Sequence, residues 1–438
     1  MTTSSPAGRV LLVGLTLSLV SACAPDEPAP EWVDDQLGGE TTRRALRGRP
    51  FNQVIRNASN AELARFADGA EVFDRHLIAG DGLGPDFDDD GCLSCHIDQA
   101  ADGEAIHLPQ GFVNRIDHQL AAAGGLGPQA QMRRTDGDPE ATLDLVWEIV
   151  VGHYDDGTRY ELLRPRHQLG TGGRYPSHGP SSQRMAPPLI GLGLLEAVPE
   201  TALEAASDPD DADDDGVSGR VRTVPDPLDP SRTVTGRFGW KASQPTIESQ
   251  TLAALDQDMG IDMTGATTPA DLDTPRATEE IDRAALADMI FYNRTIAVPI
   301  GRGRGADDVA RGAQTFEEIG CVSCHTPTQR SGDDVVRGLT DQTFHPFTDL
   351  LLHDMGPDLD DGLAEPGAES SEWRTAPLWG LGRRVEVTGR RAFLHDGRAR
   401  TPTEAVLWHG GEAKASRDAF RALDSGERRN VEAFLASL

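Results

Sequence analysis

The sequence predicts a mainly α-helical chain of two similar units, joined by long irregular loops and carrying insertions. A Cys-x-x-Cys-His string occurs twice, as Cys92-Leu-Ser-Cys95-His96 and Cys321-Val-Ser-Cys324-His325. An Arg-x-Ala-Pro string leading to Gly-Leu-Gly follows each one, and a stretch of helical apolar spacing precedes each one. With 47 glycines and 29 prolines in 438 residues, and aromatics at only 5%, long connections between the helices are expected.

In chain order, residues 10–20 are apolar but too short to span a bilayer, and only Arg9 among the side chains ahead of them is basic. Residues 1–22 therefore read as a signal peptide. The string Val20-Ser21-Ala22-Cys23 resembles a bacterial lipobox, which would make Cys23 the lipidated first residue; ordinary cleavage near Ala22 is the alternative. The expected address is an exported lipoprotein facing the periplasm and anchored to the outer membrane. Residues 24–40 are rich in Pro, Asp and Glu without apolar periodicity, so residues 23–48 read as a tether.

Residues 60–78 carry Leu63, Phe66, Val72 and Phe73 at helical spacing and lead through glycines into the first Cys-x-x-Cys-His string. Residues 207–229 and 266–276 read as linkers, with a helix expected over 278–294. Val309, Phe316 and Ile319 form the helix before the second string. The boundary falls near 299–305, giving an N-terminal unit of residues 49–300 with an insertion and a C-terminal unit of 301–438.

Two cysteines three positions apart on one helical turn can each bond the same porphyrin, and the adjoining histidine then points at its iron. The fifth-position histidine separates this reading from a redox dithiol or half of a zinc site. Cys23 is the only other cysteine, so no structural disulfide or four-cysteine metal site competes. The expectation is two covalently bound haem c groups in two cytochrome c-like haem domains, with His96 and His325 as proximal ligands. An apolar macrocycle in each core also accounts for a chain that is poor in aromatics.

The net charge of −30 excludes nucleic acid as a partner, because a phosphate backbone demands a basic surface. A basic electron donor would be attracted, although an acidic exterior also serves solvation alone. Asp211, Asp213, Asp215 and Gly216 open a calcium-loop pattern, repeated by Asp86, Asp88, Asp90 and Gly91. The closing positions hold Arg222 and Ile97 instead of glutamate, which leaves calcium as a candidate mainly at the first.

Several longer segments carry a family resemblance. In the second half they are residues 347–356, Trp373-Arg374-Thr375-Ala376-Pro377, His395-Asp396-Gly397-Arg398-Ala399 and His409-Gly410-Gly411-Glu412-Ala413. In the first half they are Arg184-Met185-Ala186-Pro187 to Leu195-Glu196-Ala197, residues 236–242 and Asp258-Met259-Gly260. Together they resemble the di-haem oxidoreductase family, whose members are labelled peroxidases or thiol oxidoreductases and are related to the bacterial di-haem cytochrome c peroxidases and the di-haem enzymes of methylamine utilisation.

The resemblance implies an electron-transfer haem in the second half and a reactive haem in the first. His409 stands where those peroxidases place a methionine, which implies a His325/His409 bis-imidazole centre of lower potential; Met355 is the rival ligand. His353 and His395 would more readily hydrogen-bond propionates or backbone. In the first half Glu196 takes the place of the distal acid that moves a proton between peroxide oxygens, with Glu200 competing. Should that haem be closed, His118 and His178 are the leading sixth ligands, behind them His107, His153 and Met185. Trp240 either relays electrons or packs. The relatives hold calcium between their haems, but no residues of this sequence match that site.

The leading function is peroxide reduction at the N-terminal haem, with electrons from a small cytochrome or cupredoxin-like donor entering through the C-terminal one. The alternatives are a non-catalytic di-haem electron-transfer cytochrome and an oxidase of a protein or organic substrate.

Overall fold

The computed structural model describes residues 1, 32, 34–44, 48–97, 111–263 and 281–438. Residues 2–22 of the expected signal peptide, Cys23, His107 and the linker at 266–276 lie outside the described residues. The helices that position the two strings are α1 (Asn60–Phe73), α2 (Ile247–Met259), α3 (Arg283–Thr295), α4 (Asp307–Glu318), α5 (Pro402–Trp408), α6 (Lys414–Ala422) and α7 (Ser425–Ser437).

Two helix crossings made by one residue pattern carry the strings. In α1 the run Gly69-Ala70-Glu71-Val72-Phe73 meets α3, and in α4 the run Gly312-Ala313-Gln314-Thr315-Phe316 meets α7. A Cβ on Gly69 would fall 2.1 Å from the Asp288 carbonyl oxygen, and one on Gly312 1.9 Å from that of Asn430. Only glycine allows backbones to approach so closely. One turn on, Phe73 packs on Tyr292 with ring centroids 5.0 Å apart, and Phe316 on Phe434 at 5.2 Å. Serine, threonine and aspartate caps start the helices at Ser59, Thr246, Asp282, Thr401 and Asp424.

The two Gly-Leu-Gly strings pack against each other. A Cβ on Gly191 would meet the Trp379 ring at 2.4 Å, and one on Gly380 would meet Ile190 at 2.5 Å. Each string thus receives the bulky residue that precedes the other's glycine, which locks the two halves into one apolar core running from Leu37 to Leu438.

The expectation of a mainly α fold is corrected: 34% of residues are helical and 18% are strand. The strands that matter are β1 (Phe112–Ile116), β2 (Thr142–His153), β3 (Arg159–Gly170), β4 (Ser181–Met185), β5 (Leu352–Asp354) and β6 (Glu372–Arg374). They pair antiparallel in two-stranded sheets, β1 with β4, β2 with β3 and β5 with β6. The reason is period-two patterning in the insertion: Leu143, Leu145 and Trp147 alternate with exposed Asp144, Val146 and Glu148, and Asp156-Gly157 turns the chain. The hairpin reaches from the first half to the C-terminal helices, where Asp156 pairs with Arg428 at 2.7 Å and Arg428 lies 3.9 Å over the Tyr154 ring.

The tether expectation is also corrected over residues 34–44. Leu37, Thr41 and Thr42 are fully buried, and the His345 amide donates to the Leu37 carbonyl at 2.7 Å. Burying a leucine side chain in this way contributes about 1.5–3 kcal/mol toward ordering the segment. No helix among the described residues is long and apolar enough to cross a membrane.

Candidate functional site

Cys92–Cys95 form a single helical turn that ends at His96. His96 Nδ1 donates to the Pro187 carbonyl at 2.9 Å, which fixes the tautomer and leaves Nε2 free as a ligand atom. Pro187 closes the first Arg-x-Ala-Pro string, so that string orients the histidine. Burial pushes the His96 imidazole below its ordinary value, and burial followed by the charge of Asp258 pushes the Cys92 thiol up to about 12. Phe73 stands 6.3 Å from the His96 ring.

Beside this string lies a cavity of about 310 Å³, within the range of small-molecule and cofactor sites. Cys92, Cys95 and His96 line it together with Phe73, Leu195, Phe238 and Trp379 on the apolar side. These residues fit a haem: two thiols and a tautomer-fixed imidazole at the rim of a largely apolar pocket. Arg115, Gln129, Arg184, Asp258 and Glu365 form a polar wall.

That wall is braced from behind. Arg184 pairs with Glu365 and with Asp361, the latter at 2.9 Å, and Arg222 pairs with Glu365 at 2.9 Å. Burial alone would raise the Glu365 carboxyl, but Arg184 and Arg222 hold it down at about 2. Lys241 is fully buried, donates to the carbonyls of Glu369, Ser370 and Glu372, and sits 3.9 Å over the Trp373 ring. Burial lowers it to about 8. His395 stacks on Trp373 with centroids 3.6 Å apart and planes at 8°, and burial lowers it to about 4.

The second string is held in the same manner. His325 Nδ1 donates to the Phe347 carbonyl at 2.9 Å, with Phe316 6.3 Å from its ring. His409 ends α5 and donates from Nδ1 to the Ala405 carbonyl at 2.7 Å. Burial lowers both imidazoles, His325 to about 4, and each is felt by its neighbourhood as a neutral ring with a free Nε2; the nearby His409 adds to the depression of His325. Behind Cys324, His353 donates to Asp349 at 2.8 Å and to Glu412 at 2.7 Å. Burial opposes its charge, yet the bonds to Asp349, Cys324 and Glu412 raise it to about 12. His353 is therefore an imidazolium fixed between carboxylates.

Other expected residues fall elsewhere. Glu196 does not line the cavity: it pairs with Arg294 and accepts from the Ile247 amide at 2.7 Å, capping α2. Glu200 accepts from the Thr235 amide at 3.1 Å, also away from the cavity. His118, His153 and His178 are exposed, and none lines the cavity. Met185 and Trp240 do line it, with the indole donating to the Met185 carbonyl at 2.6 Å. Met355 is half-buried against the core.

Asp211, Asp213 and Asp215 converge, their ligand atoms within 4.8 Å of one another, while Arg222 at the closing position is buried against Glu365. The repeated pattern disperses: Asp86 goes to Arg134, Asp88 to Gln129 and Asp90 to His76. Sequence reasoning left Asp258 without a role and passed over Gln129 and Arg115. The only signal was Asp258-Met259-Gly260 among the segments of resemblance.

Residues 175–438 match the family described as "Di-haem oxidoreductase, putative peroxidase". The match holds the second string and both Arg-x-Ala-Pro strings, and it begins after the first Cys-x-x-Cys-His string. A search of curated proteins found no match.

Proposed function

Because the chain belongs to the di-haem oxidoreductase family, we propose that it reduces hydrogen peroxide in the cavity beside His96, with electrons entering through the centre of His325 and His409. Each Cys-x-x-Cys-His string carries a covalently attached haem c in this reading, and the haem supplies a redox-active iron that exchanges single electrons. Net turnover takes hydrogen peroxide, two protons and two electrons to two waters. The electrons come one at a time from a small cytochrome or cupredoxin-like donor, which the acidic surface attracts.

One asymmetry carries the proposal. Among the described residues, His96 is the only histidine lining the first cavity, whereas the second centre brings His409 beside His325. The chain's own groups do the rest. Pro187 and Phe347 hold the two string histidines in one tautomer, the apolar walls exclude water, and the braced arginines keep positive charge beside the substrate. Export, lipidation at Cys23 with outer-membrane anchoring, and calcium at Asp211, Asp213 and Asp215 belong to the same proposal. So does the division into a unit of residues 49–300 and one of 301–438.

An electron-transfer cytochrome is the second reading, favoured by the buried Met185 in the cavity wall, whose sulfur lies 3.7 Å from an Arg384 guanidinium nitrogen. Intact-mass measurement and a peroxide-consumption assay with a reduced donor separate the two. The proposal expects two haem additions, loss of one of them and of turnover in the Cys92→Ser/Cys95→Ser protein, and turnover in the unmodified chain. A doubly haem-loaded protein that leaves peroxide unconsumed overturns it.

A further inference from the structure

We propose that Asp258 is the group that moves the proton between the two oxygens of peroxide in the first cavity, positioned by Gln129 and supported by Asp88. The inference rests on the peroxide reading above and names the residue that performs its proton step.

Asp258 stands in the last turn of α2 and is one of the residues that line the cavity. The other carboxylates lining it are already committed to cations, Asp89 to Arg133 at 2.7 Å and Glu365 to Arg184 and Arg222. Asp258 is instead held by a neutral amide: Gln129 Nε2 donates to its Oδ1 at 2.7 Å. The same nitrogen donates to Asp88 Oδ2 at 2.5 Å, and the Asp88 amide donates to the Asp258 carbonyl at 2.7 Å. Two carboxylates bridged by one amide nitrogen in a buried site repel when both are ionised, so the pair retains a proton.

The surroundings agree. Burial raises Asp258 to about 6, with Gln129 and Arg115 limiting the rise, and burial followed by the charge of Asp258 raises Asp88. The charged and titratable groups that face the pair are Arg115 on β1 and the Arg133-bound Asp89; Cys92 and Cys95 also lie close, but as haem thioethers they carry no titratable proton. Arg115 is tied to the Gln257 side chain and stays a fixed positive charge behind the carboxylate. A carboxyl that is half-protonated near working pH serves both halves of a proton shuttle.

In the step itself the Asp258 carboxylate takes the proton from one peroxide oxygen and returns it to the other. That oxygen leaves as water when the O–O bond breaks. The oxygen left behind takes two electrons from the donor and two protons from solvent, becoming the second water, and Asp258 ends in its starting state.

The test uses the di-haem protein. Asp258→Asn should lower peroxide turnover about a hundredfold or more, while Asp258→Glu recovers at least about tenfold of that loss. The turnover profile of the unmodified protein should bend near pH 6, a bend absent from Asp258→Asn. Infrared titration gives a readout without turnover: a buried carboxyl band should bleach as the pH rises through that region in the unmodified protein and be lost or displaced in Asp258→Asn. It applies to the unmodified protein even where the variant fails to fold. Turnover in Asp258→Asn within about threefold of the unmodified protein, or no such band, overturns the role of Asp258. Absence of turnover in the unmodified protein instead overturns the functional reading beneath it.

Discussion

Phe73 and Phe316 each stand 6.3 Å from the histidine of their string, and Gly69 and Gly312 each let a helix touch a partner's backbone. Beyond that shared frame the surroundings of the two strings diverge. Around His325 the chain supplies another imidazole, His409, and a fixed imidazolium, His353, locked by Asp349 and Glu412. Around His96 it supplies a cavity with a polar wall made by segments far apart in sequence. The frame sets where a string histidine sits, and the proposed division of labour rests on what surrounds it.

The largest expected effect tests the shared frame. Gly69→Ala and Gly312→Ala each drive a methyl into a carbonyl oxygen and should each cost about 3 kcal/mol or more, read from urea unfolding midpoints. Comparable losses support equivalent crossings; tolerance at one site alone breaks the equivalence. Next is Glu196→Gln, which removes the charge that Arg294 binds and should cost about 1–3 kcal/mol while leaving peroxide turnover within about threefold. A large loss of turnover in a stable protein would return Glu196 to the chemistry.

A pH-dependent effect sharpens the second centre. His353 is raised from 6.5 to about 12, so its stabilisation is complete below pH 6.5 and fades as the pH climbs toward 12. The stability gap between the unmodified protein and His353→Gln should therefore narrow steadily above pH 6.5. A gap that widens with pH would contradict the fixed imidazolium. Smallest is calcium: adding it should raise the unfolding temperature by roughly 1–3 °C, and Asp213→Asn should abolish the rise.

What was legible in the sequence follows from chain distance. Cys92, Cys95 and His96 are neighbours, so their pattern could be read without any fold, and the same holds for Cys321, Cys324 and His325. The segment around His409 marked that residue, and the structure sets it near His325. The glycine crossings were written as Gly-Ala-x-x-Phe in both halves, yet their meaning required the partners Asp288 and Asn430. Glu196 misled because nearness to Arg184-x-Ala-Pro suggested the cavity, while the turn Leu192–Glu196 aims it at Arg294. Asp258, Gln129 and Arg115 meet only after the β1 and α2 segments fold together. The ribbons were missed although the alternation from Thr142 onward carried the signal.

The most direct test of the asymmetry is the electron paramagnetic resonance spectrum of the oxidised and half-reduced protein, with and without hydrogen peroxide. The account predicts one low-spin bis-imidazole signal that ignores peroxide and disappears in His409→Ala, beside a second signal that peroxide converts. Two low-spin signals indifferent to peroxide in both redox states would contradict it.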